Sequence, residues 1–509
     1  MSRVKSAFWG SVSSQLFMVV SMLLGMVTTP FILRFLDKEE YGLSTILFQI
    51  VGYLSMFDFG LGSAIARYLA TSRGEDEASR TAVNRIISTS FFTYSALGIL
   101  VIIIGVAAAP FLPNFFDMDA RLSDVAVSIA LTLSVFMGLQ FPLKVFSSIF
   151  YAHQRQLLSN TNGFVIGLLN LVLPVVFLYF GHGLWSFVYT NIIIVLISII
   201  TTAYLLQRYY GYLKISRKYF DRKLLGEMFS FGFFLFLNAV AVQIIFFTDR
   251  FFIGSFVSLS AVTIYYLTAK VPEICMNLVF KITDNAYPAM VEIVSKEGGD
   301  KFKKVHQKLL LITVCCICTA FWLVLILDYW FIKLWVGESN FAGYSVLALT
   351  LILMTTHSIQ HVSAICLNGA GLVKGFSIVS MFDAAINLTL TILLGRKYGI
   401  EGILLGTIIA TCVTSMWYIP YTAMKFMKIS LVEYLLKPIL MPFILISLLG
   451  VCAYYLTNML VQGVDINWFT FSLIGFCLTV VFGIFIWLVF LRYEFLDYIP
   501  VKFRRFLFV

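Results

Sequence analysis

Fourteen apolar stretches follow one another along the chain with only short polar breaks, and most are at least as long as a bilayer is thick. They lie at approximately 8 to 33, 41 to 70, 83 to 109, 122 to 150, 160 to 180, 183 to 206, 225 to 255, 260 to 293, 308 to 333, 341 to 370, 374 to 395, 399 to 424, 437 to 460 and 467 to 491. About 20 residues of helix cross the hydrocarbon layer, and a helix satisfies its own backbone where there is no water to do so. The composition agrees: 60% of the 509 residues are hydrophobic and only 12% are charged, against about 25% charged in a soluble domain. The predicted fold class is therefore an all-α polytopic membrane protein of about 14 transmembrane helices. The first stretch exceeds the apolar core of a secretory signal and leads to no small-residue cleavage site, so it reads as a retained span. Cys315, Cys316 and Cys318 fall on one apolar stretch, and none of the cysteine spacings matches a zinc site or a disulfide framework; they read as small apolar side chains.

Basic residues orient the bundle. With all fourteen stretches spanning and the N-terminus inside, 25 Lys and Arg fall on the inner side and 6 on the outer side. This asymmetry is that of cytoplasmic loops and places both termini in the cytoplasm. The remaining five, Arg67, Lys144, Arg250, Lys270 and Lys281, fall inside stretches.

The eighth stretch carries the densest of these charges. Its segment AKVPEICMNLVFKITDN holds Lys270, Glu273, Asn277, Lys281 and Asp284, which at 100° per residue share an arc of about 80°. A surface-lying helix would also present a charged face, but it would put the basic loops 207 to 224 and 294 to 307 on opposite sides, against the charge rule. The segment is thus expected to cross. Its polar stripe runs ~21 Å, and each ion facing lipid would cost at least ~2.5 kcal/mol. The stripe must face other helices or a water-filled cavity. Lys270 with Glu273, and Lys281 with Asp284, are i,i+3 pairs able to neutralise one another in part. Helix-to-helix ion pairs are one reading of the stripe and a lined aqueous cavity the other, favoured because five polar groups in register exceed what packing requires.

Asp249 and Arg250 close the seventh stretch and, as neighbours, project in different directions, so each needs its own partner. Asp58, in FDFGLGSAIARY, lies mid-span and is the least easily explained by snorkelling. Arg67 and Lys144 sit near the inner surface, where anchoring and ligand binding are both open to them. HSIQH, with His357 and His361, lacks the Glu and third ligand of a zinc motif, so no metal site is expected. Asp383 and Asn387 share a face of the eleventh stretch, as cavity lining or as interhelical hydrogen-bonding groups. There is no phosphate-binding G-x-x-x-x-G-K-[ST] loop, which argues against ATP-driven transport within this chain.

The chain also repeats itself weakly. TTPFILRFL at 28 to 36 aligns with TDRFFIGSF at 248 to 256, and SRGEDEASR from Ser72 with SKEGGDKFKK from Ser295. HQRQLLSN leading to Asn170 and GHGLW parallels NGAGLVKG leading to Asn387 and YGIEG. The implied domains are a six-helix bundle at 1–215, a second at 216–430, and two further helices with a basic tail at 431–509. Repeats of an even number of spans share one orientation and are related by an axis along the membrane normal, the architecture of alternating access.

FDFGLGSAIARY, TDRFFIGSF and NGAGLVKG…YGIEGILLGTIIA resemble the polysaccharide-export group of the multidrug/oligosaccharidyl-lipid/polysaccharide flippase superfamily, over approximately residues 5 to 490. Within that group the likeness is to O-antigen flippases. The resemblance implies a bacterial inner-membrane protein, not an enzyme, that moves a polyprenyl-diphosphate-linked oligosaccharide from the cytoplasmic to the periplasmic leaflet. It implies a cationic central cavity and a proton or sodium gradient in place of a cofactor. Lys270, Lys281 and Arg250, with Arg67 and Lys144, are the candidate headgroup ligands, because ammonium and guanidinium groups match a diphosphate. Glu273, Asp284, Asp249 and Asp58 are the candidate ion-coupling sites. The implied partners are the lipid-linked substrate, membrane lipids and other polysaccharide assembly proteins, with no nucleic acid. Two other readings remain: a multidrug or small-cation exporter, expected to use acidic groups with fewer embedded cations, and a polytopic sugar polymerase or ligase, expected to carry a large outer loop.

Overall fold

The computed structural model describes residues 3–71, 77–152, 156–296 and 299–492. Arg73, Arg155 and the tail residues Lys502, Arg504 and Arg505 lie outside the described residues, as does most of the SRGEDEASR loop. Each of the fourteen apolar stretches is helical, and no strand occurs among the described residues. Ten helices there are long and apolar enough to cross a membrane. One of these, Val373–Met427, holds two stretches folded about Gly399, whose φ of 61° interrupts the helix. The Leu259–Lys296 helix has 38 residues, ample to cross, but its charges keep it out of that set.

Among the stretches that depart from a continuous helix, the second and the fourth bear on the site. The second breaks into Lys38–Ser55, a 3-10 turn at Met56–Asp58, and Leu61–Thr71. The fourth runs as Ala120–Gln140, tightens at Phe141–Leu143, where Pro142 removes an N–H donor, and resumes as Lys144–Ala152. Polar punctuation sets the helix starts. Asp37 and Glu40 form a reciprocal capping box at the start of Lys38–Ser55, and Arg121 bonds Asp37 at 2.8 Å and Glu40 at 3.3 Å. Asn467 caps Trp468–Ile486 in the same way.

The chain divides into two compact units, Met1–Thr263 and Ile264–Val509. In the first, Leu61, Ile65, Ile87, Val101, Phe141 and Val145 are fully buried in one cluster. Lipid is as apolar as Leu, so close approach and dispersion rather than the hydrophobic effect hold such helices together. Gly98 and Gly138 meet that need: a methyl group on either would clash with the other's carbonyl oxygen. In the second unit, Leu310, Val314, Leu347, Val362 and Ile446 form the core, and Cys315 and Cys318 lie within it as apolar side chains. Along Trp468–Ile486 only Phe482 is buried, which is the exterior a bilayer solvates. The repeat boundary at 215/216 and the compactness boundary at 263/264 are different divisions, because the Arg222–Phe256 helix packs with the first unit.

Candidate functional site

Within the first unit the site begins at the helix break. Phe59 (φ 52°) and Gly60 (φ 69°) both adopt left-handed backbone, a conformation a Phe occupies only under constraint. The constraint is visible: a Cβ on Gly60 would lie 2.7 Å from the Gly232 carbonyl oxygen, and one on Gly232 would lie 2.7 Å from that of Phe59. The Phe59 ring packs against Phe236 and Phe229 at 4.6 and 5.9 Å. A break in mid-membrane exposes carbonyls on one side and N–H groups on the other. Lys144 donates to the Ser55 carbonyl at 2.9 Å and lies 4.3 Å from the centre of the Phe141 ring. Asp58 accepts from the Gly60 N–H at 2.9 Å, and its charge is felt by Lys144. The cation thus stands at the C-terminal end of one half-helix and the anion at the N-terminal side of the next, each at the dipole that favours it.

Asp249 is 6% exposed and Arg250 is half-buried. Next to them Thr248 and Tyr53 share a 2.9 Å hydrogen bond, and the charges of both Asp249 and Arg250 reach the Tyr53 hydroxyl. Arg67 is exposed on Leu61–Thr71, apart from the Asp58–Lys144 group.

In the second unit the polar stripe keeps its helical register through Pro272 and Pro288. Lys281 and Asp284 form the expected i,i+3 pair at 3.6 Å, with 46% and 35% of their side chains exposed. Asn277 is exposed and Glu273 half-buried. Lys270 donates to the Tyr266 hydroxyl at 2.7 Å, one turn away, and sits 4.8 Å from that ring's centre. Asp284 has a second partner that the sequence left unconnected: His361 Nε2 is hydrogen-bonded to its Oδ1 at 2.9 Å, while the imidazole stacks on Phe280 at 4.0 Å. His361 therefore belongs to the charged stripe, and His357, buried one turn earlier, does not share its contact.

Two further polar groups occur in the same unit. Asp383 and Asn387 are fully buried between the arms of Val373–Met427: the Ser415 hydroxyl donates to Asp383, and the Asn387 amide donates to Thr407 at 2.8 Å. Of the two readings of this pair, the interhelical one describes the structure. Asp328, 2% exposed with neither oxygen hydrogen-bonded within the described residues, was missed by the sequence reading. Its signal was present, an ionisable residue inside an apolar stretch.

The family described as Polysaccharide biosynthesis protein matches residues 9–294. The chain belongs to that family. A Shigella flexneri relative, whose name assigns it to O-antigen transport, is 22% identical over 404 residues, covering 79% of this chain and 93% of its own. A Yersinia pseudotuberculosis relative, assigned by name to O-antigen export, is also 22% identical, over 82% of this chain and 94% of its own. Among solved structures, the lipid II flippase MurJ in an inward closed conformation superposes with a TM-score of 0.72 at 14% identity, over 94% of this chain and 99% of its own. An inward-facing multidrug resistance MATE transporter superposes with a TM-score of 0.62 at 14% identity, over 82% of this chain and 96% of its own. These likenesses establish that the chain has the fold shared by the MurJ and MATE structures.

Proposed function

We propose that this protein is a flippase that carries a polyprenyl-diphosphate-linked oligosaccharide, an O-antigen or related surface-polysaccharide unit, from the cytoplasmic to the periplasmic leaflet. Membership of the polysaccharide biosynthesis family carries the reading, and relatives named for O-antigen transport and the fold of a lipid II flippase support it. The protein works by alternating access between its repeated halves, the six-helix bundles 1–215 and 216–430, with 431–509 appended. It resides in the bacterial inner membrane with both termini in the cytoplasm, an orientation that the excess of basic residues in alternate loops supports. It acts as a transporter and not as an enzyme, beside other polysaccharide assembly proteins.

The partly exposed Lys281, with Lys270 on the same face, receives the diphosphate. Asp284, already bonded to His361, is the group through which a proton or sodium gradient couples. An inside-negative membrane potential assists outward movement of an anion by about 2.3 kcal/mol per charge per 100 mV, so the gradient augments a downhill step. Deletion of the gene tests the proposal: the lipid-linked glycan should accumulate in the inner leaflet and surface polysaccharide should disappear. The MATE likeness favours a second reading, export of drugs or small cations. A deletion that altered only drug or dye resistance would establish that reading and end the first.

A further inference from the structure

A cavity of about 630 Å³ opens in the second unit between the first turns of Gly299–Trp335 and the segment that leads into Met441–Val461. Its size falls within the ~300–1,000 Å³ of small-ligand sites. Lys304 and Lys308 line it from the first of these and Lys437 from the second, and apolar side chains, Leu311, Leu436 and Met441 among them, complete the lining. The wall that holds Leu436 is a π-helical turn, Leu436–Leu440, the kind of local widening that recurs at functional positions. Glu433 is the acidic group in the lining, and it is already bridged to Lys303 at 2.7 Å. Three lysines against one glutamate make the lining net cationic. These are the residues that the charge count places on the cytoplasmic face.

We propose that this cavity binds one anionic phospholipid of the cytoplasmic leaflet, with its phosphodiester among Lys304, Lys308 and Lys437 and its upper acyl chains along Leu436 and Met441. Basic pockets between transmembrane helices on the cytoplasmic side suit such headgroups. An anionic headgroup joined to acyl chains suits a lining that combines lysines with apolar side chains, and the Lys281 stripe is not part of that lining. The site is thus distinct from the Lys281 stripe and does not depend on what the protein transports.

Native mass spectrometry of the full chain in detergent tests it, with phosphatidylglycerol and phosphatidylcholine of identical acyl chains as probes. The wild type should retain one phosphatidylglycerol in preference to phosphatidylcholine by about tenfold. The Lys304→Gln, Lys308→Gln, Lys437→Gln triple variant should lose the preference, while an Arg396→Gln, Lys397→Gln control keeps it. Leu436→Trp, which adds bulk to the apolar lining and leaves the charges intact, should also lower retention and serves if the triple variant does not fold. An unchanged preference in the triple variant or unchanged retention in Leu436→Trp would overturn the proposal. So would displacement of phosphatidylglycerol by equimolar undecaprenyl diphosphate, which assigns the cavity to substrate, or by millimolar inorganic phosphate, which assigns it to a bare anion.

Discussion

The Lys144 and Asp58 charges of the first unit answer to the backbone, whereas the Lys281–Asp284 pair of the second answers to side chains and to the protein surface. Lys144 and Asp58 occupy a helix break, where a carbonyl and an N–H had lost their helical partners. Lys281 and Asp284 lie within one continuous helix, bonded to each other and, through Asp284, to His361, and much of each side chain is exposed. An intramembrane charge is therefore no single kind of evidence. Where it completes a broken helix it has a structural duty, and where exposed side chains hold it, it has the access that the proposed headgroup role needs.

Substitutions at four positions can break or sharpen this contrast. Lys281→Ala should have the largest effect, a loss of about 2–5 kcal/mol of headgroup binding, seen as abolished surface polysaccharide with normal protein in the membrane fraction; full export in this variant would remove the stripe from the mechanism. Gly60→Val should leave no such clean separation, because it strains a left-handed position and collides with the Gly232 carbonyl. Its cost should be about 2–4 kcal/mol, read as thermal unfolding in detergent. Lys144→Met should cost about 1–3 kcal/mol by stranding the Ser55 carbonyl. Lys144→Arg should restore most of that stability, and if Lys144→Met instead left stability intact and reduced export alone, the contrast between the units would fail.

Arg121→Ala should be smallest, because the Arg121 side chain is 61% exposed and a solvated ion pair contributes little. Burial alone would raise the Asp37 pKa, but hydrogen bonds from the Glu40 N–H and from Arg121, with the Arg121 charge, bring it below its ordinary value. A carboxylate of lowered pKa adds stability above the ordinary Asp range and loses it as the pH falls through the lowered value. The difference between wild type and Arg121→Ala in thermal unfolding should accordingly be present at neutral pH and vanish in strong acid.

Much of the fold was legible because a bilayer imposes length and apolarity on every span, and the Lys281–Asp284 pair was legible because helical spacing alone brings those residues together. The break at Phe59–Gly60 was not, since FDFG reads as continuous apolar sequence with one charge and the opposing Gly232 lies far along the chain. Nor was the bond from His361 to Asp284, which joins two helices through a tertiary contact that no local period encodes. In HSIQH a two-histidine spacing raises the question of metal ligation, while the structure gives His361 to the Asp284 carboxylate. Asp328 differs again: its position inside an apolar stretch was plain, and attention to the charge-dense eighth stretch passed over a solitary carboxyl.

The fold about Gly399 constrains how the second unit can move. Ser415 on Asp383 and Asn387 on Thr407 stitch its two arms crosswise where water cannot replace a lost bond. Sliding one arm along the other would break both stitches at once, so the pair must swing as a rigid lever, and whatever flexes in a transport stroke has to lie at its ends.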